Sequence, residues 1–267
     1  MTLLRQYLLA VQSFTRVPVA GALEHWTAED TPDPVASAAH FPGVGWFVGL
    51  VACTVFALVG LALAGSPFAP LAAAVATVSA VVLMTGAVHE EGLASVAGAL
   101  LPRSRPGQPF DARFDTRVTV QGNVAIVLVL LAKIALLAVL GGHAPAVVLA
   151  ALFTAQVVSR FWPLVLARGM SYLAGAGPLD DKPFAHPIVR RELGIAAAWC
   201  AVPLVLALWG QGLGFVLLAL VLSGLVVLWL RNLFARRLQG FNDACIGTTQ
   251  QLCEIGFYLG AAIGLAT

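Results

Sequence analysis

Seven runs of apolar residues occupy most of the chain: Val44–Leu63, Ala69–Val88, Gly122–Leu140, Ala146–Ala167, Leu193–Gln211, Leu213–Leu230 and Leu252–Ala266. A helix needs roughly 20 residues to cross about 30 Å of hydrocarbon. The first six runs come close to that length, and the last is shorter. In lipid, only helices and closed barrels satisfy their own backbone polar groups. The expected fold is therefore all-α: a polytopic integral membrane helical bundle of about seven transmembrane helices. Composition agrees, with 60% hydrophobic and 10% charged residues, against about 25% charged in soluble domains.

Residues 1–267 read as a single membrane domain. Its first part, 1–43, holds a helix and a polar loop, and 44–267 forms the bundle. Between Thr2 and Val19, Leu4, Tyr7, Leu8, Val11 and Phe14 share one helical face, with Arg5 and Gln12 opposite. That pattern predicts an amphipathic helix lying at the membrane interface. The cysteines Cys53, Cys200, Cys245 and Cys253 form no CxxC pair, so neither a disulfide framework nor a zinc site is expected. A net charge of +2 leaves no general basic surface for nucleic acid.

The connections alternate in charge. Gly65–Phe68, Gly141–Pro145 and the turn at Gly212 contain no lysine, arginine or acid. The longer connections, expected as loops over 89–121, 168–192 and 231–251, hold the basic residues, among them Arg103, Arg117, Arg168, Lys182, Arg190 and Arg236. If all seven runs span, every loop lysine and arginine falls on one side. The positive-inside rule makes that side the cytoplasm.

Two cations lie inside apolar runs. A lysine near the centre of a span costs on the order of 3 kcal/mol on insertion scales. Lys133 is therefore expected to have a partner in the bundle or a bound anion. Arg160 sits near the cytoplasmic end of its run, where snorkelling and a ligand role are both open.

Three polar segments adjoin spans on the basic side. The first holds His89, Glu90, Glu91 and Ser95; a helix continuing past the membrane edge would put residues 91, 95 and 98 on one face. Carboxylates so placed suit Mg²⁺, which is held by one or two carboxylates together with substrate phosphates. The second is Asp115-Thr116-Arg117, just before a helix start, where an arginine suits phosphate. The third, Gln239 to Glu254, is rich in glycine, amides and acids and could cradle phosphate through backbone N–H groups. Together they point to a shared phosphate-rich ligand.

At these residues the chain resembles the cobalamin synthase family, the cobalamin-5'-phosphate synthases or adenosylcobinamide-GDP ribazoletransferases. Ser13-Phe14-Thr15-Arg16-Val17-Pro18-Val19 is similar to the family's opening Phe-x-Thr-Arg-x-Pro-Val, and His40-Phe41-Pro42-Gly43-Val44-Gly45 to its entry into the first span. Thr85 to Ala94 is similar to Thr-Gly-x-x-His-x-Asp-Gly-Leu-Ala. Asp115-Thr116-Arg117, Lys133, Ser159-Arg160 and Gly240 to Glu254 follow in the family's order.

The resemblance implies a late step of cobamide (vitamin B12) biosynthesis at a bacterial inner membrane, with the site facing the cytoplasm. Adenosylcobinamide-GDP would be joined to α-ribazole or its 5'-phosphate, with Mg²⁺ as cofactor and GMP released. It assigns His89 and Glu91 to catalysis. Arg16, Asp115, Arg117, Lys133, Arg160, Asn242 and Gln250 would bind substrate, and Glu90, Glu91 and Asp243 would hold the metal. The chain departs from the family where aspartates are replaced by Glu91, Ser95, Gly98 and Ala244. Those departures keep open a non-catalytic corrinoid- or nucleotide-binding relative, while Lys133 and Arg160 within spans keep open a transporter. Expected partners are the two substrates and the lipid bilayer, with a homo-oligomer or other cobamide-assembly enzymes also open, and no nucleic acid.

Overall fold

The computed structural model describes residues 3–17, 34–100, 119–173 and 182–266. Over these residues the chain is helical: α1 (Leu3–Phe14), α2 (Pro34–Ala39), α3 (Phe41–Ala62), α4 (Ala69–Thr85), α5 (Val88–Leu100), α6 (Val120–His143), α7 (Pro145–Arg168), α8 (Arg190–Gln211), α9 (Leu213–Arg237) and α10 (Asp243–Gly264).

All seven apolar runs become helix, but not seven independent spans. Five helices are long and apolar enough to cross a membrane: α3, α6, α7, α8 and α9. A sixth crossing exists if α4 and α5, bent by 90° at their junction, count as one broken span. The expected seventh is the helix that differs most. It begins at Asp243 rather than Leu252 and so includes Thr248, Thr249, Gln250 and Gln251, all buried. Helix α10 packs against α5, α6, α7 and α9. Surrounded by protein, it has no need of the apolar surface that lipid demands of its neighbours.

The bend has a local cause. Gly86 (φ 70°) and Ala87 (φ 60°) are both left-handed, which ends α4. The N–H groups of Gly86 and Ala87 return to the carbonyls of Leu83 and Val82, and the Arg16 N–H takes the Met84 carbonyl at 2.9 Å. The helix therefore does not run straight through His89; a new helix starts there in another direction and carries residues 91, 95 and 98. Two expected loops also shorten, since α5 fills 88–100 and α9 continues to Arg237.

At 12 residues, α1 is too short to span. Its Ala10 and Val11 pack on Val44 and Val48 of α3, and Tyr7 stacks on Trp199 at 5.3 Å. Among the described residues, the hairpins bring the basic residues of the longer connections to one end. There Arg231 meets the Gly169 carbonyl, Phe241 bonds Ser171, and Gly98 abuts Thr119. At the other end Gly141 lies against Phe56 and Pro70 and Gln211 reaches Ala146, among connections without charge.

Candidate active site

Two of the three polar segments meet. The first turns of α5 cross the first turns of α10 at close range: a Cβ on Gly92 would lie 2.8 Å from the Ala244 carbonyl oxygen, and one on Gly247 would lie 3.0 Å from the His89 Cα. Small residues at the crossing allow this approach. The Gln239–Glu254 segment is not the expected backbone cradle. Asn242 caps a helix, its side chain accepting from the Cys245 N–H at 3.2 Å, and the following N–H groups enter the helical ladder. The other segment, with Asp115 and Arg117, lies outside the described residues.

The two acids of the α5 turn face different surroundings. Glu90 is buried, its Oε1 accepting from Gln251 Nε2 at 2.9 Å, while its Oε2 has no partner. Glu91 is exposed on the outer face. His89 is buried, with its ring 5.8 Å from that of Phe41 and its Nε2 unpartnered. Asp243 is exposed at the start of α10 and pairs with Lys182 at 3.5 Å. Arg16 is exposed and lies against Gly86 at the bend.

Beneath the crossing lies a buried polar network. Lys133 finds its partner in the bundle, donating to Glu254 Oε2 at 2.8 Å. Gln250 Nε2 donates to the same oxygen at 2.9 Å and to Ser159 Oγ at 3.2 Å. Glu254 Oε1 accepts from Gln156 Nε2 at 2.7 Å and from the Tyr258 hydroxyl at 2.8 Å. This carboxylate, 3% exposed, is thus fully satisfied by donors from α6, α7 and α10. A small void of about 10 Å³ adjoins it, lined by Thr77, Glu90, Lys133, Gln156 and Glu254 among others.

Arg160 has no ion pair of its own among the described residues. It is 1% exposed, so it does not snorkel to the surface. Its Nη1 donates to the Gln156 carbonyl at 2.6 Å and to Gln156 Oε1 at 2.7 Å, and its guanidinium lies 5.8 Å from the Phe41 ring centroid. Its Nε has no partner, and no carboxylate of the described residues forms an ion pair with it. A buried guanidinium in this state is suited to an anion brought by a ligand.

No group of three His, Cys, Asp or Glu side chains able to hold a metal converges among the described residues. Mg²⁺ needs less when substrate phosphates complete its shell. The outward carboxylates Glu91 and Asp243 fit that smaller role, whereas Glu90 is turned inward to Gln251.

Lys133, Arg160 and Gln250 stand out in the sequence, whereas Gln156, Gln251 and Tyr258 join the site only in the fold. Their signal was present: Gln156 is an amide within the apolar run Ala146–Ala167, and a polar group inside a span is seldom without a partner.

A multi-pass helical bundle whose polar side chains gather in its interior defines an integral membrane protein with a buried polar site. Its family follows from the match of residues 6–262 to the cobalamin-5-phosphate synthase model. The chain belongs to that family. Relatives named adenosylcobinamide-GDP ribazoletransferase include one from Polaromonas sp. (strain JS666), 43% identical over 98% of this chain and 97% of its own. Those from Polaromonas naphthalenivorans and Albidiferax ferrireducens are 43% and 40% identical, each over 98% of this chain and 99% of theirs. No solved structure matches the chain.

Proposed function

We propose that the chain is an adenosylcobinamide-GDP ribazoletransferase acting at a late step of cobalamin biosynthesis. Within a chain of this family, the reading is supported by the crossing of α5 on α10, which brings together the first turns of the two helices that carry Glu91 and Asp243.

The reaction is a phosphoryl transfer. A ribose hydroxyl of α-ribazole, or of its 5'-phosphate, forms a new O–P bond to the phosphate carried by cobinamide. The pyrophosphate bond to GMP breaks, and the hydroxyl proton passes to a base. We assign that proton to His89, whose buried Nε2 has no partner. Arg160 offsets phosphate charge from within, where low dielectric strengthens the contact, with Arg16 and Arg117 as further phosphate contacts. Asp115, like Arg117, would bind substrate on the family resemblance and lies outside the described residues. Glu91 and Asp243 would hold Mg²⁺, which supplies charge neutralisation on the pyrophosphate when bound.

The bilayer is the bacterial inner membrane, with the basic end of the bundle in the cytoplasm. Asn242 and Gln250 act indirectly, as the cap of α10 and as a member of the buried network.

The test is turnover in liposomes. Purified protein with Mg²⁺ is expected to convert adenosylcobinamide-GDP and α-ribazole to a cobamide with stoichiometric GMP. Folded protein giving no product, beside an active relative under the same conditions, sinks the reading.

A further inference from the structure

We propose that Glu254 is a positioning residue for Arg160, acting through the side-chain amide of Gln156. The proposal rests on the reading of Arg160 as a phosphate contact.

The argument is one of donors and acceptors. A carboxylate only accepts, and a guanidinium only donates. Gln156 lies between one of each. Its Nε2 faces Glu254 Oε1 at 2.7 Å, and its Oε1 faces Arg160 Nη1 at 2.7 Å. The amide can satisfy both neighbours in only one of its two orientations. Reversed, it would put N–H against guanidinium and carbonyl against carboxylate. The Gln156 main-chain carbonyl holds the same Nη1 at 2.6 Å, so the guanidinium is fixed at that nitrogen and its Nε is left open.

Glu254 is in turn immobilised by Lys133, Gln250 and Tyr258. The orientation of a phosphate-binding arginine on α7 is thereby set from α6 and α10. The alternative is that the Lys133–Glu254 pair only balances charge in the bundle.

Two double variants separate these cases, since both remove the buried ion pair. In K133M/E254Q the new amide oxygen still accepts from Gln156 and Tyr258. Its NH₂ faces Gln250, whose own Oε1 is unpartnered and can turn to meet it. In K133M/E254L no acceptor remains for Gln156. The probe is GMP, titrated calorimetrically into detergent-solubilised full-length protein. Positioning predicts that K133M/E254Q binds GMP about tenfold more tightly than K133M/E254L, the effect of one hydrogen bond to a charged group.

Equal affinities would overturn the proposal. Should K133M/E254L fail to fold by size-exclusion profile, Q156M decides. It keeps the ion pair but cuts the link, and must weaken GMP binding about tenfold; affinity equal to the unaltered chain's overturns the proposal. Unaltered protein that binds no GMP at millimolar concentration overturns it as well. Turnover is scored separately. GMP binding with the expected ranking but no turnover leaves the positioning intact and removes the transferase reading. Turnover with no difference between the variants does the reverse.

Discussion

Gly260→Ala is expected to destabilise the protein through the contact that holds α10 in place. Gly256, Gly260 and Gly264 recur every fourth residue on α10 and face α9. A methyl on Gly260 would lie 2.5 Å from the Leu218 carbonyl carbon and 2.6 Å from the Ala219 Cα. Ordinary contact begins near 3.4 Å, and these are backbone atoms that no rotamer can move aside. The two helices would have to part by roughly 1 Å, losing part of the van der Waals attraction along their shared face. Such overpacking costs about 1–3 kcal/mol. Alanine's better helix propensity returns up to about 1 kcal/mol. The control is Gly60→Ala on α3, where a methyl meets nothing within 4 Å, so that only the propensity gain applies. Both variants would be unfolded in dodecylmaltoside by added SDS and followed by tryptophan fluorescence. G260A should be less stable than G60A by about 1–3 kcal/mol. Because α10 also carries Gln250 and Glu254, G260A should weaken GMP binding while G60A does not. If G260A is as stable as G60A, the close approach of α9 and α10 is refuted, and with it the packing that sets the network's geometry.

Gly86→Ala forces a methyl into a left-handed residue and should cost about 1–2 kcal/mol in the same unfolding assay. Lys182→Ala should lower stability by at most about 1 kcal/mol, because its ion pair with Asp243 is partly solvated. Glu91→Gln should raise the Mg²⁺ concentration needed for half-maximal turnover several-fold at unchanged stability, since Glu91 is exposed and its removal disturbs no packing. An unchanged Mg²⁺ requirement would take Glu91 out of the metal's shell.

What the sequence made legible follows from where lipid is. Helices α3, α6, α8 and α9 each turn a large apolar face outward, as at Leu61, Leu131, Trp209 and Leu228. Their composition is therefore dictated by hydrocarbon, and a hydropathy pattern finds them. Helix α10 has protein around its polar half, so its side chains answer to Glu90, Ser159 and Lys133 instead. Such a helix looks like a polar loop in one dimension, because the partners that excuse its polarity are as many as 161 residues away. The same reasoning explains the site. Lys133 was legible as a residue needing a partner, since an unpaired ammonium in hydrocarbon is too costly to be idle. That the partner is Glu254, and that Gln156 carries its influence to Arg160, depends on how α6, α7 and α10 turn their faces toward one another. Glu91, Ser95, Gly98 and Ala244 stand where the family resemblance leads one to expect aspartates, and of these only Glu91 is still an acid. Ala244 now lies at the closest crossing of α5 and α10, against Gly92. The carboxylates that remain in the interior, Glu90 and Glu254, are tied to amides, a lysine and a tyrosine rather than gathered around one point. The proposed phosphate contact therefore leans on the buried Arg160 and what orients it rather than on a crowded set of acids.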